Sequence, residues 1–410
     1  MLQDYFLNQP PVLSHAMHKL SVKTDMLAFY FVRELSVEEA SKGALLGKIL
    51  SSGSAHYPDI KRISEMEQYL YGSFHYFDMD KYGDNLVFIY KIIMPSYKIL
   101  EDLETGRAAL AFYRSLLHEP LVGEGGFDDQ LFNREKKMLL QSLETLSKDP
   151  FGYAHRSCVK LLYGDHPLGT YKYGSSEVIE AITNEELYRY YLDLLDHEMV
   201  FFYHHGDVKE EKHVQDHFHE RKIKPFHFEG LKSASEEVTG SQSIIVEAYH
   251  APAQGERGAQ AMLVLSHLLG GHANSLLFRI LREQKQYCYS VYTKYDRYRD
   301  LIFLTIAFHE GHYEDILEDL AAILHSVGEG DFSFEDLEMA RKDIMGTLVS
   351  LHDSQSSYVE YTFLSDYFKR METIGERVQK IKDITKEDLI SAANSLKKVA
   401  HFHLKGGRDD

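Results

Sequence analysis

Cysteine is nearly absent from this 410-residue chain, which carries only Cys158 and Cys288. Two are too few for a disulfide framework and lack the paired spacing of a thiolate metal site, so both read as buried, reduced thiols. Long apolar runs are missing as well. The longest, such as residues 302–308, fall far short of the ~18 residues that a membrane-spanning helix needs. The chain opens MLQDYFLNQPP, with an acid at Asp4 and no basic stretch ahead of an apolar core, so no secretory signal is visible and a cytoplasmic location is expected. Positive charge is in deficit. Lys and Arg number 45 against 63 Asp and Glu, and the resulting net charge of −18 would repel a phosphate backbone or an anionic lipid surface. Nucleic acid is therefore not an expected partner. No GxSxG, CxxC or P-loop pattern occurs, which leaves serine hydrolysis, thiol redox chemistry and nucleotide hydrolysis without motif support.

What is present is ordinary globular composition, 44% apolar and 26% charged, with chain enough for two or three domains. A repeat decides for two. Ile182, Thr183, Asn184, Glu185, Glu186, Leu187 recurs as Ile384, Thr385, Lys386, Glu387, Asp388, Leu389. In each, Thr can cap a helix whose first turn holds acids that favour the positive end of its dipole. An aromatic and β-branched strand follows both times, 199–203 before Gly206 and 399–404 before Gly406. Residues 209–240 are polar and weakly periodic and read as a linker with some helix. The expected division is thus a domain over 1–208, a linker over 209–240 and a second domain over 241–410. Residues 244–249 and 301–308 read as strands, 259–269 and 334–351 as helices. Helices packed on one face of a mainly antiparallel sheet, an α+β arrangement, satisfy that order.

The second half contains Leu269-Gly270-Gly271, then Ser275-Leu276-Leu277-Phe278, Leu281-Arg282-Glu283 and Tyr289-Ser290-Val291-Tyr292. The first half contains Ser52-Gly53-Ser54, Tyr57-Pro58 and Leu70-Tyr71-Gly72, and residues 132–146 and Gly206-Asp207-Val208 continue the pattern. Together these resemble the insulinase-type metallopeptidases (M16, of the M16B kind) over nearly the whole chain. The resemblance implies two homologous α+β domains facing each other as a clamshell.

Active members of that family carry HxxEH on a helix, where two His one turn apart bind zinc and Glu activates a water. Aligning back from Gly53 places Ala44, Leu45, Leu46, Gly47 and Lys48 at those five positions, so both ligands and the base are missing. The segment is still expected to be helical, since Ser36 and Glu39 form a capping-box pattern and Gly53 sits at a natural stop. The family's third ligand lies seven residues after another acid; with Glu135 as that acid, the ligand position falls on Ser142. Glu144 is near but lies about 200° away around a helix. Lys48 puts a cation where zinc would sit, so no metal is expected on this chain. What the resemblance does preserve is Arg282 and Tyr289, matching the Arg and Tyr that reach toward the scissile carbonyl in active members. Both can donate to a developing oxyanion. The family usually has a Gly before the Tyr-bearing strand, whereas this chain runs Lys285, Gln286, Tyr287, Cys288.

The remaining histidines read blandly. His309, Glu310, Gly311 and His312 have i, i+3 spacing at a strand end, His204 and His205 point to opposite faces of a strand, and His213, His217 and His219 lie in the linker with no assignable third ligand. The resemblance implies a non-catalytic subunit without autonomous peptidase activity: a homologous HxxEH-bearing chain brings Zn2+, and this one brings Arg282, Tyr289 and part of a peptide chamber. Peptide or leader-peptide cleavage, as in bacteriocin maturation, is the implied reaction. The alternative is an inactive peptide-binding or scaffold protein.

Overall fold

The computed structural model describes every residue except 1, 20, 21, 147, 198, 216–222, 240, 241, 371 and 408–410. The chain forms two compact units. One comprises Met1–Thr145, Thr170–Ile223 and Ser354–Lys369; the other comprises Leu146–Gly169, Lys224–Asp353 and Arg370–Asp410.

The first unit is built on strands β1 (Leu13–His18), β2 (Thr24–Glu34), β3 (Phe74–Tyr82) and β4 (Asn85–Pro95), with a separate two-residue pair, β5 (Val122–Gly123) and β6 (Gly126–Phe127), and then β7 (Val200–Gly206) and β8 (Glu211–Val214). Its sheet order is β3-β4-β2-β7-β1-β8, antiparallel except for β1 with β7. The second unit holds β9 (Lys232–Thr239), β10 (Ser243–His250), β11 (Cys288–Asp296), β12 (Leu301–Phe308) and β13 (Lys397–Gly407), ordered β11-β12-β10-β13-β9 and antiparallel except for β9 with β13. The two orders are the same, an outer hairpin, a central strand, the closing strand and a parallel strand beyond it, with β8 as the only addition in the first sheet. The repeat read from the Thr caps is therefore a repeat of topology. Thr183 and Thr385 both form complete capping boxes, with Glu186 and Asp388, and their helices lead into β7 and β13.

The central strands are buried on both faces. All eight residues of β12 are buried, as are the seven residues Met26–Val32 of β2, the signature of a strand covered on either side. On one face of the first sheet lie the Val37–Ser52, Leu103–His118 and Asn184–Leu195 helices. The other face is covered by the Gln355–Tyr367 helix, drawn from the second half of the sequence. Phe363 stacks on Tyr30 with ring centroids 4.1 Å apart and meets Phe201 at 5.3 Å. Buried Lys91 donates to Ser356 Oγ at 2.9 Å and lies over the rings of Tyr30 and Tyr76. The second unit mirrors this with the Pro150–Tyr163 helix from the first half. His155 contacts Phe303 at 4.6 Å, Tyr163 contacts Phe226 at 4.8 Å and the Cys158 thiol faces the carbonyl of Val246.

Two sequence expectations need correcting here. The compact units do not follow the boundaries 1–208 and 241–410, because each half of the chain lends one helix to the other unit. The region 209–240 is also more than a linker. It carries β8 and β9, which pair with β1 and β13. His213 sits on β8 and pairs with Glu211 at 2.9 Å; His217 and His219 lie outside the described residues. Cys158 and Cys288 are free and buried, and burial pushes their thiols up to about 12 and about 11.

Asp366 is the polar anchor of the helix on the first sheet. Its carboxylate accepts from Tyr203 at 3.0 Å and from Lys212 at 2.6 Å, with His15 beside it. Burial pushes this carboxyl up, but His15 and Lys212 outweigh that and hold it below its usual range. A depressed carboxyl stabilises the fold above its unfolded pKa, about 3.9, and loses that contribution as pH falls through the lower folded value. Asp366→Asn is expected to cost about 1–3 kcal/mol at pH 7. In urea unfolding, the gap between wild type and variant should close as the pH drops below about 4; a gap independent of pH would mean that the charge of Asp366 contributes nothing.

Candidate functional site

The Val37–Ser52 helix starts at Ser36, whose Oγ accepts from the Glu39 amide at 3.0 Å, and stops at Gly53. Only half of the capping box forms, because the Glu39 carboxylate turns to Arg33 at 2.7 Å. Gly53 is extended rather than left-handed, yet it has to be small: a Cβ there would meet the Pro58 carbonyl oxygen at 2.9 Å. Along the face toward β3 the helix is equally bare. A Cβ on Gly43 would strike the Met79 sulfur at 2.4 Å, and one on Gly47 would stand 3.3 Å from the Phe77 Cβ.

This strip of Gly43, Ala44 and Gly47 roofs a cavity of ≈ 510 Å3 within the first unit. The structure brings five of the positions singled out in the sequence to it: Ala44, Gly47 and Lys48 from one helix, Glu135 and Ser142 from the Asp129–Leu146 helix. Glu144 is not among the lining residues. Glu135 is only 2% exposed and accepts from Arg134 at 2.9 Å, while Ser142 and Lys48 are exposed at the rim. Lys48 makes no ion pair with a described residue. Phe77, Met79, Phe88 and Leu139 supply most of the apolar wall, and Asp78 accepts from Tyr173 at 2.7 Å and faces Lys172. Burial and the bond to Asp78 push the Tyr173 hydroxyl up to about 12. Among the described residues no group of three or more His, Cys, Asp or Glu is placed to hold a metal. Sequence reasoning found the five motif positions but missed Asp78, Tyr173 and the aromatic wall; the Gly43 to Gly47 spacing, one turn apart, was the available signal for a close helix–strand approach.

Arg282 and Tyr289 lie in the second unit on two local irregularities. Residues Phe278–Gln284 form a π-helical turn, with the Lys285 amide donating to the Ile280 carbonyl, a geometry frequent at functional sites. The turn separates two arginines. Arg279 is tied to buried Asp336 at 2.8 Å, whereas Arg282 lies over the Phe278 ring at 4.5 Å and forms no ion pair with a described residue. Gln286 then adopts φ 57°, a left-handed conformation at which a Gly is the natural residue, so the tight turn survives without one. Tyr289 occupies a β-bulge. Cys288 pairs with Phe308 and Ser290 with Ala307, which leaves Tyr289 without a cross-strand partner and 51% exposed. Bulges re-aim side chains in this way beside active sites. Arg282 is near enough to Cys288 to oppose the burial that raises its thiol. Two donors, one guanidinium and one phenol, are therefore presented to solvent around one turn.

The other histidines are engaged in ordinary contacts. Glu310 binds Ser243 at 2.5 Å and His403 at 3.1 Å, His312 lies near Asp315, His204 near Asp25, and His205 is held by Gln355.

Residues 181–344 match a family model described as "Peptidase M16 inactive domain". The chain is 22% identical over 415 aligned positions to "Probable inactive metalloprotease YmfF" of Bacillus subtilis, covering 96% of this chain and 95% of that one. It is 24% identical to "Uncharacterized zinc protease YmxG" of the same organism across 56% of this chain and 59% of that one. Among solved structures, a conserved protein from Enterococcus faecalis superposes with a TM-score of 0.86 at 21% identity and 97% coverage of both chains. A peptidase M16 inactive domain from Pseudomonas fluorescens superposes with a TM-score of 0.75 at 16% identity and 96% coverage of both.

Restoring ligands tests whether the two helices present a zinc-site geometry. The triple variant Ala44→His, Lys48→His and Ser142→Glu, with Gly47 left in place, is expected to retain about one equivalent of zinc after dialysis, measured by mass spectrometry of the metal. A folded triple variant without zinc would show that these positions do not converge as a ligand set.

Proposed function

We propose that the chain is a member of the insulinase-type (M16) peptidase family without HxxEH, and that it is the non-catalytic subunit of a heterodimeric zinc peptidase. The single observation that supports this best is the presentation of Arg282 and Tyr289. Arg279, three residues away, is neutralised by Asp336, while Arg282 and the bulged Tyr289 stay uncommitted.

In the proposed assembly a homologous partner carries HxxEH, and its Zn2+ supplies the activated water. This chain's part is binding and charge stabilisation. Arg282 and Tyr289 donate hydrogen bonds to the oxygen of the carbonyl under attack and strengthen them as negative charge develops there. Such donors are worth about 10²–10³ in kcat each when they are preorganised and water is excluded. The turn through Gln286 and the bulge at Tyr289 fix both side chains before substrate arrives. The substrate of the proposed assembly is a peptide or leader peptide of the kind removed in bacteriocin maturation, and the setting is cytoplasmic. An inactive peptide-binding protein that contributes nothing to cleavage is the second reading, favoured by the cavity beside Lys48.

Mixing the chain with an HxxEH-bearing homologue and following peptide cleavage separates the two. Arg282→Ala and Tyr289→Phe are each expected to lower kcat by about 10²-fold while the assembly still elutes as one species. Unchanged kcat in an intact assembly would refute shared catalysis.

A further inference from the structure

The cavity beneath Gly43, Ala44 and Gly47 has room for a ligand. Its ≈ 510 Å3 falls within the roughly 300–1,000 Å3 of sites that hold small ligands. Ala44 is small and Lys48 and Ser142 stand at the rim, so the space between two helices and β3 is open.

Its charges narrow the occupant. Three lining residues carry formal charge at neutral pH, Lys48, Asp78 and Glu135. The two acids are occupied, Asp78 by Tyr173 and Lys172 and Glu135 by Arg134. Lys48 alone is uncommitted. A divalent cation is opposed by its ammonium, and a phosphate dianion would face two carboxylates with a single cation to offset them. A monoanion with an apolar body fits both constraints. The wall further selects among such monoanions. Ser51, Ser52 and Ser142 interrupt the apolar surface of Phe77, Met79, Phe88, Leu139 and Leu143. Amide groups need such hydroxyls and an alkyl chain does not.

From this we infer that the cavity binds the C-terminal residue of a peptide, with an apolar side chain inside and the free carboxylate paired with Lys48. The inference concerns the first unit alone and does not depend on shared catalysis.

The test uses the full chain without a partner and an N-terminally fluorescent pentapeptide ending in Leu, read by anisotropy. The free acid is expected to bind at least about five-fold more tightly than the same peptide as its C-terminal amide, the discrimination of a partly exposed ion pair. Lys48→Gln should abolish that ratio while leaving the amide's affinity unchanged. Ser142→Phe, at the exposed rim where folding is not at stake, should weaken both forms by ten-fold or more by obstructing the mouth. Equal binding of acid and amide to the wild type, indifference to Ser142→Phe, a preference for palmitate over the peptide, or no binding of the peptide at millimolar concentration would each overturn the proposal.

Discussion

Each central sheet in this molecule is apolar on both faces, and a single layer of helices can cover only one. The chain resolves this by reciprocal loan. The Pro150–Tyr163 helix leaves the first half to cover the second sheet, and the Gln355–Tyr367 helix leaves the second half to cover the first. Rows such as Tyr30, Phe201 and Tyr203 on one sheet and Phe303 on the other would otherwise face water, a burial worth about 1.5–3 kcal/mol for each large side chain. The polypeptide therefore passes between the units five times. Neither half of the sequence, cut at residue 223, contains everything its own sheet needs.

How far this could be read in advance depended on whether the signal was local. The Thr183 and Thr385 caps, the aromatic closing strands and the doubly buried runs of β10 and β12 are decided by near neighbours in the chain, so the repeat and the α+β class were legible. The loan of helices was not. Periodicity in residues 150–163 or 355–367 says which side of a helix is apolar but never which sheet that side will meet. The segment 209–240 misled for a related reason: β8 and β9 are edge strands, largely exposed and polar, and edge strands look like linkers because only their backbones are engaged.

The site divides in the same way. Ala44, Gly47, Lys48, Glu135 and Ser142 could be placed by pattern, and all five line one cavity. The walls could not be placed, since Phe77, Met79 and Tyr173 reach it through pairing and turns that no spacing rule encodes. On the other unit, the pattern supplied Arg282 and Tyr289 as residues but not the π-helical turn, the left-handed Gln286 or the bulge that set their exposure. A glutamine at positive φ has no sequence signature; here it accompanies the backbone hydrogen bonds that close the turn, from Lys285 to Ile280 and from Tyr287 to Leu281.

Gly47 has one more implication. It lets the helix settle so close to β3 that a first side-chain carbon would lie 3.3 Å from Phe77. Any larger residue at that position would press its first side-chain carbon against the Phe77 Cβ, and one of the two would have to give by a few tenths of an ångström. The distance between helix and strand at this point is thus set by a missing side chain, and a bulkier residue would be accommodated by parting the two elements.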